Sequence, residues 1–149
     1  MEVPMRINQV LAAKARQDVV TVSPDASVRD LLQLLSEHNV GALVVSSDGK
    51  RLEGIVSERD VVRRLCDTDG LLEAKVSSIM TSDVHTCDGE HPVNDLMQVM
   101  TERRIRHVPV MDGDELVGII SIGDVVKNRL SELEFERDQL DKYVHTAQT

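Results

Sequence analysis

The sequence predicts an α/β (α+β) fold built from two β-α-β-β-α repeats related by a pseudo-twofold axis, with a long C-terminal helix after them. Three observations carry this. Identical residues recur at a constant spacing through the two halves of the 149-residue chain. Within each half, short runs of β-branched residues alternate with segments whose apolar residues recur at helical period. Beyond Asp124 the chain contains neither Gly nor Pro, so nothing interrupts a helix to its end.

In chain order, Ile7 to Ala15 reads as a short amphipathic helix with Ile7, Val10 and Leu11 on one side. Val19-Val20-Thr21-Val22 is a strand, and Ser23-Pro24-Asp25 a turn. Ser27 caps a helix whose Val28, Leu31, Leu32 and Leu35 fall at i, i+3, i+4 and i+7, with His38-Asn39 ending it. The unbroken apolar run Gly41-Ala42-Leu43-Val44-Val45 fits a strand buried on both faces. Ser46 to Lys50 is a hairpin turn, Leu52 to Val56 the return strand, and Asp60 to Leu65 a further helix. Asp67 to Gly70 breaks the chain before its second half.

That second half repeats the first. Thr21/Thr86, Val28/Val93, Asp30/Asp95, Leu31/Leu96 and Val45/Val110 are all 65 apart (86 − 21, for example). After the hairpin the spacing is 64, and Gly49/Gly113, Gly54/Gly118, Ile55/Ile119, Ser57/Ser121, Asp60/Asp124 and Val61/Val125 coincide. A one-residue slip inside a turn is what a tandem duplication tolerates. Residues 7–70 form the first repeat with its N-terminal helix, 71–129 the second, and 130–149 a helical extension. A three-stranded unit cannot easily bury both its faces, so the two should pack together and leave two related clefts where strand ends and helix starts converge.

Composition restricts the function classes. The net charge of −9 and pI near 4.9 argue against a nucleic-acid binder or an anionic membrane surface, both of which require a basic face. Phe135 and Tyr143 are the only aromatic residues, so the core is aliphatic. Cys66 and Cys87 lack CxxC or zinc-ligand spacing and read as buried or partly buried thiols of a reducing compartment. Neither a signal peptide nor an apolar run of membrane-spanning length is evident, and the expectation is a soluble cytoplasmic protein.

The chemistry concentrates in Gly54-Ile55-Val56-Ser57-Glu58-Arg59-Asp60 and its twin Gly118-Ile119-Ile120-Ser121-Ile122-Gly123-Asp124. In each, an apolar strand runs into a helix whose first turn carries a hydroxyl and, three residues on, a carboxylate. A single Ser-x-x-Asp is a capping box. Two copies in matching frames add a second reading, in which the helix start and its acid hold an oxygen-rich ligand. A carboxylate there can accept both hydrogen bonds of a vicinal diol but repels phosphate, which needs a separate cation such as the planar fork of Arg106. His107 beside Ser121 is the one nucleophile–base pairing, and no third group orients it, so no enzyme is expected. The five histidines have no metal-ligand spacing.

These motifs, with Val20-Thr21-Val22 and Ser27-Val28, Gly41 to Val45, Ser78-Ile79-Met80-Thr81 and Arg106-His107-Val108-Pro109-Val110, resemble a tandem pair of cystathionine β-synthase (CBS) domains, a Bateman module of the stand-alone bacterial type. The resemblance runs from about Ile7 to Arg129. It implies a regulatory module that binds AMP, ADP, ATP, NAD or S-adenosylmethionine in its clefts, with no obligatory cofactor. By position, Asp60 and Asp124 would hold ribose hydroxyls, and Ser57 and Ser121 would contact phosphate or ribose. Arg106 and His107, followed by Pro109, would face phosphates. The strands at Thr21-Val22 and Thr86-Cys87 would border adenine, with Ala42 and Ile122 beside the two sites.

The copies differ. Gly41-Ala42 stands in the first repeat where the second has Arg106-His107. The second copy is thus expected to have phosphate cations beside it. The first must use Arg59, Lys14 or Arg16, or Arg106 reaching across. In the tail, Val126, Leu130, Leu133, Leu140 and Val144 follow a heptad seam interrupted by Arg137. The seam is expected to pair two chains as a homodimer, with a regulated protein partner compatible with ligand binding. The competing function is a ligand-independent interaction module that regulates a separate enzyme.

Overall fold

The computed structural model describes residues 5–14 and 19–148, with side chains to 145. Arg16 and the Ala15 end expected for the first helix lie outside the described residues. The elements are α1 (Ile7–Ala13), β1 (Thr21–Val22), α2 (Val28–His38), β2 (Ala42–Val45), β3 (Gly54–Ser57), α3 (Glu58–Leu65), β4 (Cys87–Asp88), α4 (Val93–Arg103), β5 (His107–Asp112), β6 (Glu115–Ser121) and α5 (Ile122–Gln148). Two three-stranded sheets form, ordered β1-β2-β3 and β4-β5-β6. In both, the first pair is parallel and the second antiparallel. This is the doubled β-α-β-β-α architecture, followed by a helix of 27 residues.

Local sequence explains the boundaries. Ser27 Oγ accepts the Asp30 N–H at 3.1 Å and starts α2, while Asn39 ends it at φ 52°, a left-handed value that Asn tolerates. Arg104 takes the same role after α4 at φ 55°, although arginine has no such ease there. α3 begins at Glu58, two residues earlier than expected, because Ser57 caps it. β3 begins later than expected, at Gly54. The first hairpin carries an extra residue, and Asp48 Oδ1 gathers the Lys50 and Arg51 N–H groups at 2.9 and 2.8 Å into a wider turn. β1 spans only Thr21–Val22, and two short 3-10 turns, Leu71–Glu73 and Val76–Ser78, were not expected.

Each sheet has its own aliphatic core. Around the first cluster Val22, Val28, Leu31, Val45 and Val56; around the second, Val93, Leu96, Val108, Val110 and Ile120. The segments leading into the repeats are exchanged between these cores. α1 precedes the first repeat, yet Ile7 and Val10 are buried in the second core. Residues that precede β4, Val76 and Ile79, are buried in the first. Chain order groups α1 with the first repeat; its packing is with the second.

The exchange follows the duplication in its hydrogen bonds. Ile7 N–H donates to His91 O at 3.0 Å, and Val76 N–H to Ala26 O at 2.8 Å. Val93 N–H donates to Met5 O and Val28 N–H to Ala74 O, both at 2.9 Å. The leaders are therefore related by 69 positions (76 − 7) and the positions they grip by 65 (91 − 26). Arg6-Ile7-x-x-Val10-Leu11 and Lys75-Val76-x-x-Ile79-Met80 are the matching sequences. The glycines that open the two Ser-x-x-Asp motifs mark the closest approach. A Cβ on Gly118 would lie 2.7 Å from Leu11 Cδ2, and one on Gly54 2.8 Å from Met80 Sδ.

Candidate functional site

Ser57 leaves β3 in extended conformation, and its Oγ accepts the Asp60 N–H at 3.3 Å. Asp60 Oδ2 in turn accepts the Ser57 N–H at 2.8 Å and the Ser57 hydroxyl at 3.1 Å. This reciprocal cap fixes the carboxylate against the start of α3, where the N-terminal dipole favours the anion. Among the described residues Asp60 Oδ1 accepts no hydrogen bond. The twin is built alike: Asp124 Oδ2 accepts the Ser121 N–H at 2.9 Å, and Ser121 Oγ the Asp124 N–H at 3.1 Å.

The cap opens onto a cleft of about 500 Å³ whose walls come from both repeats. Ala42, Ser57, Arg59 and Asp60 line it from the first, Arg106 and His107 from the second. Thr81 stands at its edge, paired with Ile55 by backbone hydrogen bonds of 2.9 Å in both directions. Arg63 and Arg104 add two further guanidiniums. Among the described residues none of the four arginine side chains is engaged in an ion pair or hydrogen bond. In a chain of net charge −9 this is a local concentration of positive charge, offset within the cleft by Glu58 and Asp60.

The cations follow the sequence expectation in part. Arg106 reaches across to the cleft of Ser57 and Asp60 and joins Arg59 there, two of the sources open to the first copy, and His107 lines the same cleft while lying opposite Ser121 as expected. Lys14, expected to serve the first copy, bonds Asp124 in the second at 2.9 Å. The exchanged leaders are the reason, since α1 lies along β6 and delivers Lys14 there. His107 stays close to both copies. It pairs with Ser121 across the β5–β6 ladder, and Glu58, Asp124, Lys14 and Arg106 all act on it electrostatically.

Burial pushes the His107 pKa down, Asp124 and Glu58 oppose that, and Lys14 and Arg106 reinforce it, leaving it below the ordinary histidine value. Burial raises the Asp124 pKa, but the Ser121 N–H and the Lys14 ammonium outweigh it and hold the carboxyl below the usual range. Cys87 is pushed up to about 11, by burial and then by Asp88.

Other predicted site residues sit apart. Val22 is buried in the first core, Pro109 is buried in β5 between the core residues Val108 and Val110 without joining their cluster, and Thr21 is half-buried in β1 beside Val44. Thr86 lines a separate hollow of about 510 Å³ with Cys87, Asp88 and His91. Ile122 is exposed at the start of α5, its N–H on Arg106 O at 2.8 Å. Sequence reasoning missed Arg63, Arg104 and Thr81 as lining residues. Arg104 was legible in principle, because it stands 65 positions after the helix-ending Asn39. Cys66 is exposed, contrary to the expectation of a buried or partly buried thiol, because it closes α3 on its open side.

Among the described residues no group of His, Cys, Asp and Glu is placed to hold a metal ion, and no helix is long and apolar enough to cross a membrane.

Comparison with known proteins agrees with this architecture. The CBS domain pattern matches residues 10–67 and 76–131. A mitochondrial CBS domain-containing protein of Arabidopsis thaliana is 38% identical over 125 residues, a match spanning 80% of this chain and 61% of the plant protein's length. The crystal structure of a CBS-domain-containing protein from Agrobacterium tumefaciens is 41% identical, covers 84% of this chain and 99% of its own, and superposes with a TM-score of 0.78. A CBS domain protein of Pyrobaculum aerophilum complexed with AMP is 28% identical, with coverage of 80% and 89% and a TM-score of 0.68. Matched in both halves and sharing the doubled fold, the chain belongs to the CBS-domain family as a tandem CBS pair.

Proposed function

We propose that this CBS pair is a cytoplasmic sensor module that binds an adenosine-containing nucleotide (AMP, ATP, NAD or S-adenosylmethionine) and passes the bound state to a protein partner, without catalysing a reaction. The observation that carries this is one cleft uniting a capped carboxylate with an unengaged oxygen, Asp60, the cations Arg59 and Arg106, and the imidazole of His107. Asp60 Oδ1 accepts the ribose hydroxyls, Ala42, Ile55 and Ile105 offer apolar walls to the base, and the guanidiniums take phosphate. The AMP held by the Pyrobaculum relative supports the ligand class. The exposed seam of Val126, Leu130, Leu133, Leu140 and Val144 on α5 supports a homodimer formed with a second copy. A ligand that binds one arrangement of the repeats better than another then shifts the dimer between states.

The test is isothermal titration of the full chain with each of the four nucleotides. Saturable binding to at least one, weakened by Asp60→Ala, is expected; no heat with any of them overturns the reading. The same exposed seam favours the second reading, an interaction module indifferent to ligand. It predicts partner capture unchanged by nucleotide.

A further inference from the structure

The two Ser-x-x-Asp turns, alike in sequence, are unequal in charge, and the exchanged leaders explain why. Ile55 and Ile119 are equivalent, 64 positions apart (119 − 55). Ile55 O receives the backbone N–H of Thr81 at 2.9 Å. Ile119 O receives instead the Lys14 ammonium, also at 2.9 Å, and the same Nζ lies 2.9 Å from Asp124 Oδ2. At the leader spacing of 69 the counterpart of Lys14 is Asp83, which carries the opposite charge (83 − 14). Asp124 is therefore neutralised by a cation of its own chain. Among the described residues Asp60 has no bonded cation. The Lys14 and Asp124 side chains are 24% and 22% exposed, so water screens the pair only weakly.

A diol approaching Asp124 meets a carboxylate whose charge is already balanced at Oδ2 by an ammonium that Ile119 O also holds, so it competes with a bound cation for the same group. Oδ1 accepts no hydrogen bond in either aspartate among the described residues, and a diol approaching Asp60 meets a carboxylate with no ammonium bonded to it. We propose that Lys14 is an internal occupant of the second copy, which limits the chain to one nucleotide, held at Asp60, for as long as Lys14 stays in place. The proposal rests on the nucleotide reading above and adds to it a stoichiometry and the residue that sets it. Because Ile7 and Val10 anchor α1 on the second core, withdrawal of Lys14 is coupled to movement of α1.

Equilibrium dialysis of the full chain against labelled ATP decides it. At a free ATP concentration that saturates wild type, wild type should hold one ATP per chain, Asp60→Ala well under half of one, and Lys14→Met two. The double variant Lys14→Met/Asp60→Ala should regain one, through Asp124. Lys14→Arg, which keeps the charge, should stay at one. Lys14→Gln serves in place of Lys14→Met should the latter fail to give wild-type circular dichroism. Two ATP per wild-type chain, or no site regained in the double variant, overturns the proposal. No binding of ATP, AMP, NAD or S-adenosylmethionine by any variant overturns the nucleotide reading itself and the proposal with it.

Discussion

Substitution of Ile7 by alanine tests the leader exchange most sharply, because its effect should appear in the second repeat and not in the first, whose strands directly follow it in the chain. Ile7 is 1% exposed and packs in the cluster of Val93, Leu96, Val108 and Ile120. Truncation removes three carbon atoms, about 2.4 kcal/mol at roughly 0.8 kcal/mol per buried methylene. The cavity left behind brings the loss to about 3 kcal/mol, within the range of about 2–5 kcal/mol for such changes. At roughly 2–4 °C per kcal/mol for a chain of this size, the midpoint should fall by roughly 6–12 °C. Hydrogen exchange locates the damage. Amides of β4, β5 and β6 should lose protection, while those of β1, β2 and β3 keep it until global unfolding. The mirror substitution Val76→Ala should do the reverse. Loss confined to the first repeat in Ile7→Ala would refute the exchange.

The other predictions concern single groups. His107 is neutral at pH 7, and its folded pKa lies below the unfolded value, so stability should decline as pH falls from about 6.5 through the folded pKa. In His107→Gln that part of the urea-midpoint profile should be flat; an unchanged slope would point to another group. A phosphate brought beside His107 raises its pKa, so nucleotide binding should take up protons and tighten below neutrality, readable as buffer-dependent calorimetric heat. With Cys66 exposed and Cys87 half-buried and raised to about 11, an aromatic disulfide reagent should titrate one thiol rapidly in the folded chain and the second much more slowly, at the rate of the first only on unfolding. Truncation after Arg129 should lower the mass seen by light scattering from dimer to monomer; equal states in both chains would refute the α5 seam.

What was legible in the sequence was what is local. Ser57 with Asp60, and Ser121 with Asp124, could be read as caps because both partners sit within one helical turn. The apolar runs at Gly41 to Val45 and their repeat gave the strands and their pairing. The positions of Lys14 and Arg106 were not legible, because they depend on which core a connecting segment joins. Met5 lies 16 residues before Thr21 but Ala74 only 12 before Thr86. The leaders therefore fall out of the 65-residue frame, and Arg6-Ile7-x-x-Val10-Leu11 does not align with Lys75-Val76-x-x-Ile79-Met80 unless the frame is shifted. Arg104 was hidden differently. A helix end reads as punctuation, and only the fold turns the residue after α4 toward a cleft built largely by the other repeat.

The claim that one cleft, lined by Asp60 from the first repeat and Arg106 from the second, holds an adenosine nucleotide is tested most directly by calorimetry on wild type and Asp60→Ala. Wild type should bind at least one of AMP, ATP, NAD and S-adenosylmethionine with micromolar affinity. Loss of a charged hydrogen bond, about 1.5–3 kcal/mol, should weaken Asp60→Ala by roughly 10- to 150-fold. Equal affinity in the two proteins, or no heat with any of the four, would contradict it.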